Sequence, residues 1–267
     1  MVILVKVAII APIHHLSYSQ RGDIHFIVTA HLEFEEARKF FEAETKYKML
    51  DNGSYEYGIP LEGEELIELA KSIKADEIVV PDYFMDRKRT LRAAAEFLDR
   101  FGSEKFSFCI VPQATCPEEF IYAFKQIMND RRFGAARVIA FPIWLQKRFR
   151  CRPIVVSYLL RRGIMDMSRH YHLLGLDGIG ELFAYPQGLI RSVDTSLPFS
   201  LTYNKVLETP FGDFDGQRMP LDGKLHYQQL PLLEKHIANL LGAAHGNDTL
   251  LEQYTERYRE PRDELDH

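Results

Sequence analysis

Little in this sequence suits crosslinking, spanning a bilayer or staying unfolded. Only three cysteines occur in 267 residues, Cys109, Cys116 and Cys151, with no CxxC spacing, and an odd number cannot all pair within the chain. A disulfide framework is therefore not expected, and a reducing cytoplasm is the simpler home. No apolar run reaches the length of a membrane span. The opening MVILVKVAIIAP is too short for one and no small-residue cleavage signal follows it, so it reads as a strand and no membrane partner is expected. Also missing are low-complexity tracts, short-period repeats and linkers rich in Pro, Gly or Ser.

Acid is scarce in one region. The formal charge of -5 argues against a wholesale nucleic-acid coat protein, yet between 125 and 169 eleven Lys and Arg residues face only Asp130 and Asp166. A run this long and this poor in acid suits contact with phosphates. Arg148, Arg150, Arg152, Arg161 and Arg162 are the candidates, and a solvated helix face is the bland alternative.

What is present is a repeated unit. At 46% hydrophobic the chain can bury a full core. Eight short apolar runs, at 6–12, 25–31, 47–50, 77–80, 106–111, 137–141, 171–174 and 189–193, alternate with stretches whose apolar residues return every three or four positions. That alternation is the mark of parallel βα units, and eight is the number a closed barrel needs. The expected fold is therefore α/β, a (β/α)8 TIM barrel over residues 1–200. Residues 201–267 would form a C-terminal loop and helical appendage, with two helical stretches from 228 to about 260 and a charged tail.

In such a barrel the residues just after each strand face the catalytic mouth. Polar residues fall there repeatedly: Asp51 and Asn52, then Asp82, Gln113 and Asp194, with Gly175 after the seventh run. Each has a bland alternative. Asn52-Gly53 is a tight-turn signal, Asp82 and Asp194 could cap helices, and Gln113 could bond backbone. Independent turns, however, have no reason to gather at the same end of strand after strand. His14-His15 and His170-x-His172 invite a metal reading, but no third ligand is within reach by sequence.

These motifs, in order from about residue 6 to 198, resemble the tRNA-guanine transglycosylase superfamily, most closely its short phage and bacterial members that insert 7-deazaguanines into DNA. Leu50-Asp51-Asn52-Gly53-Ser54-Tyr55-Glu56 is similar to the family's Asp-Ser-Gly-Gly-Phe-Gln segment. The strand ending at Asp82 and the Val111-Pro112-Gln113 end resemble the two that read the guanine edge. His172-Leu173-Leu174-Gly175, followed by Ser192-Val193-Asp194-Thr195, resembles the segments leading to the nucleophilic Asp.

The resemblance implies a base exchange in which Asp194 is the nucleophile and Asp51 the acid/base group. Asp82, Gln113, Gly175 and Asn52 would bind the base, and Phe141, Tyr55 or Tyr83 would stack on it. It implies no cofactor, a 7-deazaguanine base such as preQ0 or a derivative as co-substrate, and a bacterial or phage-infected cytoplasm. No cysteine follows Cys151, so the zinc site of the tRNA enzymes is not implied and DNA is favoured over tRNA. The family's Gly-Gly-Leu-Ala strand end is replaced here by Ala140-Phe141-Pro142. A homodimer is left open. Two other classes stay in view: a non-catalytic nucleic-acid-binding or accessory barrel, which predicts loss of one carboxylate, and an unrelated metal-dependent barrel hydrolase.

Overall fold

In the computed structural model, which describes residues 5–206 and 216–246, eight parallel strands alternate with helices. The strands are β1 (Lys6–Ile9), β2 (His25–Ile27), β3 (Lys48–Leu50), β4 (Glu77–Val79), β5 (Ser107–Ile110), β6 (Ala136–Pro142), β7 (His170–Leu174) and β8 (Ser192–Thr195). Each pairs with its sequence neighbour, β8 returns to β1, and a bridge between Ala8 and Ile24 joins β1 to the start of β2. The molecule is a (β/α)8 barrel with a C-terminal helix.

Strands buried on both faces read as near-continuous apolar runs, and alternate residues here serve two cores. Ala8, Phe26, Met49, Val79, Cys109, Val138 and Ala140 form a cluster inside the barrel. Val7, Ile27, Leu50, Ile78, Phe108, Ile139, Phe141, Leu173 and Val193 point outward into the layer beneath the helices. Pro81 and Pro112 stand just beyond β4 and β5, where a residue without an N–H cannot extend the ladder.

The helices are α1 (Glu35–Ala43), α2 (Ser54–Tyr57), α3 (Gly63–Ser72), α4 (Arg87–Phe101), α5 (Pro117–Asn129), α6 (Trp144–Lys147), α7 (Arg152–Arg161), α8 (Leu197–Tyr203) and α9 (Leu230–Ala244). The β1–β2 and β7–β8 crossovers carry only 3-10 turns, Ile13–Arg21 and Ile179–Ala184. The last helix fills part of the ring they leave thin. Leu233, Ile237 and Leu240 of α9 join the main core, and Ala244 accepts from the backbone N–H of Val5 at 3.1 Å.

One boundary difference bears on the site. The eighth strand was expected at 189–193 and lies at Ser192–Thr195, because Leu189 closes a turn onto Pro186. Asp194 therefore sits within the strand rather than after it. The expected second helical stretch and the charged tail lie outside the described residues. Among the described residues no helix is long and apolar enough to cross a membrane.

Candidate active site

The C-terminal mouth of the barrel is built by short polar turns. Gly53 takes a left-handed φ of +80°, and a Cβ there would meet Thr29 Oγ1 and the Tyr57 ring at 2.7 Å. This lets the chain reverse directly after β3. Asp51 Oδ2 accepts from Gly53 N at 3.1 Å and Asn52 Oδ1 from Ser54 N at 2.8 Å, so both residues do perform turn chemistry. Their remaining atoms are turned to other tasks.

Asn52 Nδ2 donates to Asp82 Oδ1 at 2.6 Å, and Gln113 Nε2 donates to Asp82 Oδ2 at 2.6 Å. Trp144 Nε1 in turn donates to Gln113 Oε1 at 3.0 Å, which fixes which way the amide points. Three strand ends and α6 are thus tied to one carboxylate. Asp82 is not a helix cap, since Asp86 serves that role for α4 by accepting from Arg89 N. Burial lifts the Asp82 carboxyl to about 6, with the Asn52 and Gln113 donors opposing the rise.

Asp51 is more strongly perturbed. Burial, then the charges of Glu56 and Asp82, push it up to about 8 against the Gly53 N–H, and Asp194 adds to the rise. An Asp with such an affinity holds its proton at neutral pH. Glu56 was not singled out from the sequence. It lies on α2 with Oε2 buried and unbonded and Oε1 3.6 Å from Arg218, and burial raises its proton affinity. The signal for it was its place five residues after Asp51 on a single turn of helix.

Asp194 faces into the same mouth from β8 and is 4% exposed. The backbone N–H of Gly175 donates to its Oδ1 at 3.0 Å, and His172 Nε2 lies 2.9 Å from the same oxygen. Oδ2 carries no hydrogen bond from the described residues. Asp194 does not cap α8, whose N-cap position is Ser196; the N–H of Leu197 is taken by Thr195 Oγ1 at 3.0 Å. Asp51 and Asp194, 143 positions apart, are therefore brought to one opening, close enough for the charge of Asp194 to bear on Asp51.

Several expected site residues fall elsewhere. Phe141 points outward, fully buried against Phe120, Phe124 and Tyr171, so it cannot stack on a base. Gly175 spends its N–H on Asp194. Arg152 has no exposed surface: it pairs with Glu181 at 2.6 Å and donates to the carbonyls of Phe141, Leu174 and Gly175, bracing the ends of β6 and β7. It cannot reach a phosphate. Arg161 and Arg162 close α7, whose ten residues carry the chain about 15 Å from the mouth, to the opposite face of the barrel. Arg148 and Arg150 are exposed on the mouth side, with Arg150 bonded to Asp177 at 2.9 Å.

Tyr55, 74% exposed and lying under the Arg218 guanidinium at 5.0 Å, stands on α2 just after β3, and Phe84, 62% exposed, on the turn after β4. The other tyrosine considered for stacking, Tyr83, lies under Arg89 at 3.7 Å. The C-terminal segment walls the other side of the mouth, where Leu221 packs on the inner cluster and its carbonyl accepts from Ile13 N at 2.7 Å. Among the described residues no group of three or more His, Cys, Asp or Glu side chains is arranged to hold a metal ion. Comparison with protein-family models and with curated proteins gives no match to this chain.

Proposed function

We propose that the protein is a base-exchange transglycosylase that replaces guanine in a nucleic acid, DNA rather than tRNA, with a 7-deazaguanine base. The observation that carries the reading is the division of labour between two carboxylates in one mouth. Asp51 keeps its proton up to about pH 8, whereas Asp194 is held through one oxygen by His172 and the Gly175 N–H, and among the described residues nothing bonds the other. A buried carboxyl that holds its proton suits the acid role, and a carboxylate oxygen left open on the mouth side suits the nucleophile.

In the proposed reaction Asp194 Oδ2 attacks C1′ of the target nucleotide. The C1′–N bond breaks, its electron pair goes to the base, and Asp51 gives its proton to the departing ring nitrogen. The sugar is left as an ester of Asp194. The ionised Asp51 then takes the ring N–H proton of the entering 7-deazaguanine, that nitrogen attacks C1′, and the ester bond breaks to restore the Asp194 carboxylate. Two inversions return the original configuration and leave the strand intact.

Asp82 and Gln113 present an acceptor and a donor side by side, matching the N–H and carbonyl groups on a purine edge. The target base must leave its stack to arrive there, at a cost of a few kcal/mol, and Tyr55 and Phe84 at the rim offer π-faces for neighbouring bases. Arg148 on the same face supplies charge for the backbone, beside Lys147 and Arg150, which share the carboxylate of Asp177.

The test is to incubate guanine-containing DNA with the protein and labelled 7-deazaguanine, preQ0 included. Label should enter the polymer with wild type and not with Asp194→Ala or Asp51→Ala. Equal incorporation by the Asp194 variant would remove the nucleophile assignment, and release of guanine with no label entering would indicate a hydrolase.

A further inference from the structure

Beneath Asp194 a line of buried polar groups runs down the inside of the barrel. Phe26 of β2 stacks on the His172 ring at 5.9 Å and 4°, a contact that crosses the barrel interior. His172 Nδ1 lies 2.9 Å from Ser192 Oγ, which is also 3.1 Å from Arg191 Nε. Arg191 is held in turn by Glu77 of β4, at 2.7 and 3.1 Å, and Tyr47 donates its hydroxyl to the same carboxylate at 2.8 Å. Ser192, His172 and Glu77 have no exposed surface.

The direction of this line follows from which groups can accept. An arginine Nε can only donate, so Ser192 Oγ accepts from it and has its own hydrogen to give. The nearest acceptor for that hydrogen is His172 Nδ1, which leaves the ring proton on Nε2, aimed at Asp194 Oδ1. The opposite tautomer would set a ring lone pair against a carboxylate. Donors aligned in one direction polarise one another, and this line starts at a guanidinium and ends on the proposed nucleophile.

We propose that His172 is a positioning residue for Asp194, kept in its Nε2–H form by Arg191 and Ser192 so that Oδ2 alone meets the sugar. This rests on the base-exchange reading. It assigns a task to the Arg191–Glu77 pair as well: the pair anchors the line at the closed end of the barrel. Together with the Gly175 N–H it fixes the carboxylate from two sides, and a nucleophile held in this way reaches its attack geometry without a search.

Two readouts test the inference, one independent of activity. In the full-length protein labelled with 15N-histidine, His172 should show a protonated Nε2 and an unprotonated Nδ1. Ser192→Ala should mix the tautomers, and Asp194→Asn should shift the Nε2 resonance. A protonated Nδ1, or no response of His172 to Asp194→Asn, would overturn the proposal even if wild type exchanges no base and the functional reading itself fails. If exchange is observed, His172→Leu should lower kcat about 100-fold with KM for the entering base little changed, because misplacement of a reacting group acts on the chemical step. His172→Gln, which restores an N–H donor, should recover at least about tenfold of that loss within the range such outer residues command. A folded His172→Leu protein with wild-type kcat would refute the positioning role.

Discussion

Gly175 donates its backbone N–H to Asp194 Oδ1 at 3.0 Å from a left-handed conformation, φ +77°, that side chains rarely adopt. The strand end of β7 and the carboxylate of β8 are therefore coupled through the one residue type that suits this bend. A Cβ at this position would also meet Cβ and Cδ1 of Ile143 at 3.1 Å. Gly175→Ala should cost about 1–2 kcal/mol of stability from the backbone alone. It should also lower kcat more than that loss predicts, since the N–H is pulled off Asp194. Chemical denaturation alongside single-turnover kinetics separates the two effects.

Asp51 sets a pH dependence of stability that runs opposite to the usual carboxylate. Its folded-state value of about 8 exceeds the ordinary 3.8, so the folded state binds the proton more tightly. The favourable contribution is complete at acid pH and is lost as pH rises from about 4 to about 8, on the order of 1.4 kcal/mol per unit. Asp51→Asn should therefore match wild type below about pH 4 and be more stable by a few kcal/mol at pH 8, while losing base exchange. Denaturant midpoints measured across this range check it, and a variant less stable at pH 8 would contradict the assignment.

Glu56 tunes the same group. Its charge is the first of the neighbouring charges raising Asp51, after burial. Glu56→Gln should bring the alkaline limb of the kcat profile down from near pH 8 by a measurable fraction of a unit to one unit, with the acid limb less affected. A limb that does not move would place the controlling proton elsewhere.

The Asp82 clamp should divide binding from chemistry. Replacing Gln113 by Met removes the donor on Oδ2 and leaves Trp144 Nε1 without its acceptor. Hydrogen bonds to charged groups contribute about 1.5–3 kcal/mol, so KM for the base should rise roughly 10- to 100-fold. The effect on kcat should be smaller. Calorimetry with the free base offers a check that needs no turnover.

The arginines of the basic stretch should separate into three behaviours. Arg152→Met leaves Glu181 buried without its partner and should destabilise the fold by about 3–5 kcal/mol. Arg148→Ala should leave stability nearly unchanged and reduce the salt dependence of DNA binding by about one unit of slope. Arg161→Ala and Arg162→Ala, on the far face, should change neither.

Much of this arrangement was legible before any coordinates. Alternation of apolar runs with helical spacing is a local property of each segment, and eight such units close in essentially one way, so the barrel and the mouth-facing places of Asp51, Asp82, Gln113 and Asp194 could be read directly. Within the basic stretch Arg152, Arg161 and Arg162 were misplaced, because linear charge density says nothing about facing: α7 starts at the mouth and ends away from it, so neighbours in sequence are parted by the length of a helix. Phe141 was misplaced by one step of a two-residue period, which moves a strand side chain from one face to the other.

The sequence by itself determined the repeated unit, hence the architecture and the list of acids at one end of it, because periodicity and strand-end position are written within each short segment. Only the tertiary structure decided how those acids differ. The proton affinity of Asp51, the one-sided hold on Asp194, the Asn52–Asp82–Gln113 clamp and the His172–Ser192–Arg191 line all depend on residues from different strands meeting where water is excluded. There a charge or a hydrogen-bond donor a few ångströms away outweighs the intrinsic chemistry of the side chain.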